Sequence, residues 1–194
     1  LKQHNYKTLC VDKLDKLLNM GEKYSVVYAD PPWLYSNQGT RSSTKNHYVG
    51  MSIEELCELP IRELSNDDSF LHLWTTNAFL FESKRVMDAW GYNYKSACVW
   101  VKPQMGIGNY WRVSHEFLLL GKRGSPKWAN KGLMSWYSFR RTKHSAKPEQ
   151  FRKMIEATCI GPYLELFGRR PANNWVVWGD EIERNMFEGS IACL

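Results

Sequence analysis

Six short runs rich in aromatic and β-branched residues recur along the chain, and they constrain its fold more than any other feature. They are Tyr24–Ala29, Phe70–Thr75, Lys95–Val101, Glu116–Leu120, Tyr163–Phe167 and Trp175–Trp178. Between them lie segments with helix start and stop signals. Ser52-x-x-Glu55 is a capping box opening a short helix toward Glu58. A helix after Thr75 reads through Ala89, with Gly91 at its C-terminal stop. Pro148 suits the first turn of a helix running to Thr158, because the N–H it lacks would be unpaired there anyway. Strands that alternate with helices, several too apolar to leave one face wet, imply an α/β fold of three layers around a largely parallel sheet.

No linker, repeat or low-complexity tract divides the 194 residues, so one domain over 1–194 is expected. The chain is 43% hydrophobic and 24% charged, without an apolar run of the roughly 18 residues a membrane span needs. Leu1-Lys2-Gln3-His4-Asn5 has no apolar core of a signal peptide, which makes a cytoplasmic setting the expectation, or a nuclear one in a eukaryote. Cys10, Cys57, Cys98, Cys159 and Cys193 form no Cys-x-x-Cys pair and lie near no clustered histidines. Reduced thiols are therefore expected, with no metal site and no disulfide framework.

In a parallel sheet of this kind the ligand crevice lies beyond the carboxyl ends of the strands. The residues with the most chemistry sit there: Asp30-Pro31-Pro32-Trp33 after the first run, Lys102-Pro103 after the third, and Gly168-Arg169-Arg170 after Glu165. Two prolines stop a strand abruptly, and by themselves they mark only a turn. Preceded by Asp and followed by Trp, they suit a more demanding task. An exocyclic amine on a nucleobase is a poor nucleophile because its lone pair is delocalised into the ring. A carboxylate (Asp30) and a rigidly held carbonyl (Pro31) can each accept one amine hydrogen, and that favours a pyramidal nitrogen with its lone pair free. Trp33 can wall or stack on the base. The matching electrophile is the methyl sulfonium of S-adenosylmethionine, with the protein supplying alignment and the cofactor the reactivity.

Eight segments then occur in a characteristic order: Tyr28-Ala29-Asp30-Pro31-Pro32-Trp33, His47-Tyr48-Val49-Gly50-Met51-Ser52, Leu73-Trp74-Thr75-Thr76-Asn77, Val99-Trp100-Val101-Lys102, Tyr110-Trp111-Arg112-Val113-Ser114-His115-Glu116, His144-Ser145-Ala146-Lys147-Pro148, Leu164-Glu165-Leu166-Phe167-Gly168-Arg169, and Asn174-Trp175-Val176-Val177-Trp178-Gly179-Asp180-Glu181. Together they resemble the adenine-N6 methyltransferase family of the eukaryotic messenger-RNA adenosine methyltransferase catalytic subunit and its bacterial and phage relatives. The resemblance implies a Rossmann-like S-adenosylmethionine-dependent fold in circularly permuted motif order. It implies that Asp30, Pro31, Pro32 and Trp33 are catalytic, and that Asp12, Asp30, Lys102, Glu165, Arg169, Asp180 and Glu181 bind the cofactor. Tyr48 matches an aromatic residue of a loop beside the pocket, and Lys147 lies on the substrate-facing side, as a phosphate contact. Two departures stand out: Asp180 replaces a more usual Asn, and Arg170-Pro171-Ala172-Asn173-Asn174 lacks the His-Asn dipeptide of the messenger-RNA enzyme. Glu165, between Leu164 and Leu166, reads as a crevice carboxylate paired with Arg169, whereas Glu116 reads equally as a structural ion-pair residue.

The formal net charge of +6 is unevenly placed. Phe117–Pro148 contains no acid but eight basic residues, interleaved with Trp128, Trp136, Tyr137 and Phe139, which leaves the rest of the chain at −2. A polyanion contact and a solvated loop fit this window equally well on composition. Chemistry on adenine needs an unstacked base and an aromatic wall to receive it. Trp111, Arg112, Arg140 and Arg141 join Tyr48 and Lys147 as candidate substrate contacts. DNA is the expected substrate, with RNA the alternative. A non-catalytic nucleic-acid-binding partner subunit is the rival from another class, and cytosine-N4 methylation the rival chemistry. A homodimer or a partner subunit is the assembly in view.

Overall fold

The computed structural model describes residues 6–35, 50–106, 108, 110–141 and 146–179. Its elements run, in chain order, β1 (Leu9–Val11), α1 (Leu14–Asn19), β2 (Tyr24–Ala29), α2 (Ile53–Glu58), α3 (Ile61–Leu64), β3 (Ser65–Thr75), a 3-10 turn (Asn77–Phe79), α4 (Glu82–Ala89), β4 (Asn93–Val101), β5 (His115–Arg123), β6 (Trp136–Ser138), α5 (Glu149–Thr158), β7 (Tyr163–Leu166) and β8 (Trp175–Trp178). All eight described strands share one sheet in the order β1-β8-β7-β2-β3-β5-β4-β6. Every neighbouring pair is parallel except those that β5 makes with β3 and β4. The mixed α/β architecture with a mostly parallel sheet is the expected one.

Strand alternation sorts the apolar side chains into two cores. Val27, Ala29, Leu71, Leu73, Leu164 and Leu166 pack on one face with Leu17 of α1, Leu56 of α2, Ile61 and Leu64 of α3 and Val86 and Met87 of α4. Val26, Tyr28, Phe70, Trp74, Trp100 and Val177 point to the other face, covered by Phe151 and Ile155 of α5 and by Trp128, Tyr137 and Phe139. One helix covers that second face less completely than four cover the first. A cavity of about 160 Å³ remains there, lined by His72, Cys98, Trp128 and Met134 among others. His72 is buried with its Nε2 3.7 Å from Cys159 Sγ, and burial pushes its pKa down to about 3, so it is neutral packing.

Local signals set the helix ends as expected in most places. The Ser52 hydroxyl accepts the Glu55 N–H at 3.1 Å, and the Glu55 carboxylate accepts the Ser52 N–H at 2.7 Å. Helix α4 stops at a left-handed Gly91 (φ +82°), with the Gly91 and Tyr92 N–H groups returning to the Asp88 and Met87 carbonyls. Pro148 is the N-cap of α5, one residue before the helix begins. The strand expected over Phe70–Thr75 starts five residues earlier, at Ser65. Elements β1, α1, α3 and β6 were not apparent from the pattern.

Strand β2 is the turning point of the topology. From it the chain moves outward on one side to β3, β4 and β6, then crosses through α5 to β7 and β8 on the other. A crevice opens where such order reverses, outside the carboxyl ends of the strands. Asp30 follows β2 at that point.

Candidate active site

Alternation along the strands carries one set of charged and aromatic groups to the α5 face. Tyr28 is in register with Glu165 of β7, and Trp100 with Glu116 of β5. Asp30, two residues beyond Tyr28, has the same parity. Because β5 runs antiparallel, its first residues, His115 and Glu116, meet the last residues of β4 at the crevice end of the sheet.

Four charges alternate there in a chain. Lys147, just ahead of α5, donates to Asp30 Oδ2 at 2.7 Å and lies 3.4 Å from Glu116 Oε2. The other oxygen of Glu116 pairs with Lys102, whose ammonium also sits 4.5 Å from the Trp100 ring centroid. Lys102 is only 8% exposed. Burial opposes the charge of Lys147, yet Asp30 and Glu116 outweigh it and hold the ammonium above its ordinary range. Burial likewise opposes ionisation of Glu116, but Lys147 and Lys102 hold its carboxyl below the usual carboxylate range. For Lys102, burial wins over Glu116 and lowers the pKa. Each buried charge thus has an opposite neighbour, the condition for keeping ions out of water.

This arrangement gives three of the expected residues their partners. Lys147, expected as a phosphate contact, has a side chain only 15% exposed, and its ammonium pairs with Asp30 and Glu116. Lys102, expected at the cofactor, is the inner end of the same chain and pairs with Glu116. Glu116, open between two readings in the sequence, links the two lysines.

The Asp30-Pro31-Pro32-Trp33 turn is pinned from several sides. The Pro32 carbonyl accepts the Met51 N–H at 2.8 Å, and the Leu34 N–H returns to the Met51 carbonyl at 3.1 Å. Trp33 donates its indole N–H to the Trp74 carbonyl at 3.1 Å and stacks on Phe79, with centroids 5.3 Å apart and planes 17° apart. The Pro31 carbonyl accepts the Trp33 N–H at 2.9 Å. A carbonyl has two lone pairs, so one remains for an amine hydrogen. The Asp30 side chain is 34% exposed, and Oδ1 accepts from no donor among the described residues. One carboxylate oxygen is therefore anchored and the other open.

On the neighbouring strand, Glu165 is bound by an arginine other than the one expected. Arg152 of α5 donates Nη2 to Glu165 Oε2 at 2.5 Å and Nη1 to both oxygens of Glu149, at 3.0 and 2.9 Å. Strand parity explains the exchange: Glu165 faces α5 with Tyr28, whereas Arg169 lies beyond the strand end and is exposed. Burial pushes the Glu165 carboxyl up to about 7, against the pull of Arg152. The sequence held one signal for Arg152, namely its place beside Phe151 on the buried stripe that Phe151 and Ile155 define at helical spacing.

Asp12 follows β1 at the same edge of the sheet and pairs with Lys16 at 3.1 Å, an i,i+4 contact that lowers its pKa. Tyr48, Asp180 and Glu181 lie outside the described residues. Trp111 and Arg112 are exposed on the loop joining β4 to β5, Trp111 by 88%. Arg140 and Arg141 are exposed just past β6, which is parallel to β4 and so delivers them to the crevice end. The basic window is not one surface, however. Lys122 and Arg123 end the antiparallel β5 at the opposite edge of the sheet, where Arg123 holds Asp67 at 2.9 Å and the Arg62 carbonyl at 3.0 Å. Among the described residues no group of three or more His, Cys, Asp or Glu side chains could hold a metal ion.

An aspartate-proline turn at the reversal point of a mostly parallel sheet, backed by buried ion pairs, is the build of an α/β methyltransferase. The chain belongs to the MT-A70 family, whose profile matches residues 24–181. That family comprises N6-adenine methyltransferases. The chain is 32% identical to the type II methyltransferase M.MunI of a Mycoplasma species, over 86% of this chain and 81% of that protein. It is also 32% identical to the human N(6)-adenosine-methyltransferase catalytic subunit METTL3, over 83% of this chain but only 28% of METTL3. The human N(6)-adenine-specific methyltransferase METTL4 is 27% identical over 87% of this chain and 39% of its own length.

Proposed function

We propose that this protein transfers a methyl group from S-adenosylmethionine to the N6 amine of adenine in DNA. The observation that carries the reading is Asp30 itself: a carboxylate at the crevice with Oδ2 fixed by Lys147 at 2.7 Å and Oδ1 open to accept an amine hydrogen. The free lone pair of the Pro31 carbonyl takes the second hydrogen. With both amine hydrogens held, the nitrogen lone pair is directed away from the ring, and little reorganisation is left for the transition state. Trp33, braced on Phe79, walls the base pocket. Once methylated, the nitrogen carries a surplus proton acidic enough to leave to water, so no strongly tuned general base is required.

The crevice also suits the cofactor. Glu165 uses only Oε2 for Arg152, and Oε1 accepts from no donor among the described residues, leaving an acceptor for a hydroxyl. Asp12 stands three strands from Asp30, about 14 Å at the usual strand spacing, a span matching an extended nucleoside joined to an amino acid. S-adenosylmethionine, when bound, supplies the electrophilic methyl. Asp12, Asp30, Lys102, Glu165, Arg169, Asp180 and Glu181 are assigned to holding it. Trp111, Arg112, Arg140, Arg141 and Tyr48 are assigned to the nucleic acid.

DNA is favoured because the match to a type II methyltransferase covers four fifths of that protein. The equal identity to METTL3 keeps RNA as the second reading. Labelled methyl transfer to single-stranded DNA, duplex DNA and RNA of one sequence decides between them: transfer to DNA supports the proposal, and RNA-only transfer replaces it.

A further inference from the structure

We propose that Arg152 is a positioning residue for the cofactor: from α5 it clamps Oε2 of Glu165 and so presents Oε1 to the crevice. The inference rests on the cofactor reading above and adds a residue that never touches the ligand.

The geometry is that of a fork shared between two carboxylates. Nη1 takes both oxygens of Glu149, largely exposed on the same helix, while Nη2 takes one oxygen of the buried Glu165 on the sheet. The guanidinium also lies 5.7 Å from the Trp175 ring centroid, which fixes its plane from a third side. The planar guanidinium gives each carboxylate its own nitrogen, whereas a lysine would share a single ammonium between the two. The buried Nε donor of Arg152 has no partner among the described residues.

Charge completes the argument. Glu165 faces Arg152 and Glu149 from α5 and Tyr28 and Asp30 from β2, while β8 pairs with it through the uncharged Val177. Arg152 is the one cation in that set and opposes three sources that raise the carboxyl: burial, Glu149 and Asp30. Without it, the carboxyl would be protonated at neutral pH and would lose acceptor strength toward a ligand hydroxyl.

The test is calorimetric titration of S-adenosylmethionine into wild type, Arg152→Gln and Glu149→Gln between pH 6.5 and 9, each checked for a cooperative melt. Starting from a midpoint near 7, a further rise of one unit in Arg152→Gln weakens binding about fivefold at pH 7 and less than twofold at pH 9. Glu149→Gln, a change at an exposed position, removes a charge that raises Glu165 and should shift the affinity profile toward lower pH. A pH-independent loss in Arg152→Gln, or an unchanged Glu149→Gln profile, overturns the positioning role. Wild-type protein that binds no S-adenosylmethionine at any pH overturns the cofactor reading itself, and this proposal with it.

Discussion

Replacing Lys147 with Met keeps the length of the side chain and removes its charge, and the consequences follow from two distances. The ammonium lies 2.7 Å from Asp30 and 3.4 Å from Glu116. At an effective dielectric of 20 these separations are worth roughly 6 and 5 kcal/mol before desolvation. Burying the ammonium takes back several kcal/mol, and the exposed third of Asp30 screens its share further. Leaving the partners of a mostly buried pair uncompensated costs about 3 kcal/mol on this scale. Where that loss falls on the orientation of Asp30 it lowers kcat by ~10²-fold, with nucleic-acid affinity and its salt dependence changed little, because the ammonium is committed to two carboxylates. Single-turnover methyl transfer, alongside nucleic-acid binding at several salt concentrations, reads both quantities. Had Lys147 been a phosphate contact, the variant would instead bind DNA more weakly, with a salt slope reduced by about 0.9 and the chemical step intact. That result would refute the reasoning.

Glu165→Gln should flatten the pH dependence of stability while disabling the protein. The carboxyl titrates near 7 when folded and in the ordinary carboxylate range when unfolded, so the wild type loses stability as pH rises from about 4.5 to 7. The glutamine is immune to that loss, so its stability relative to wild type rises by at most about 3 kcal/mol between low pH and pH above 7; urea melts at pH 5 and pH 8 measure it. No increase in the difference between the two pH values would mean that Glu165 is not buried as a costly carboxylate. Charge reversal at Arg140 and Arg141 should weaken nucleic-acid binding and flatten its salt dependence by roughly two in slope, leaving cofactor affinity unchanged. An equal loss of cofactor affinity would make that rim structural.

Much of the scaffold was legible because its strands announce themselves. Tyr24–Ala29 and Trp175–Trp178 are found as expected, and the capping box at Ser52 and the glycine stop at Gly91 close their helices as local chemistry dictates. Strands of three residues, Leu9–Val11 and Trp136–Ser138, are too short for a period to show and are defined by their neighbours in the sheet. Asp30 was visible because its chemistry is written in consecutive residues. The partners of the charged groups were not, since they depend on strand direction and parity. Glu116 reaches the site only because β5 runs backwards, and the same reversal carries Lys122 and Arg123 away from it. Arg152 meets Glu165 across the gap between α5 and the sheet, a contact that residue counting along the chain would assign to the nearer Arg169.

The most direct test of the account is the product of the reaction. Purified protein, S-adenosylmethionine and DNA should yield N6-methyladenine by nucleoside mass spectrometry, and Asp30→Ala, checked for a cooperative melt, should yield essentially none. N4-methylcytosine as the product, or full activity in Asp30→Ala, would contradict the assignment of Asp30 as the group that holds the adenine amine.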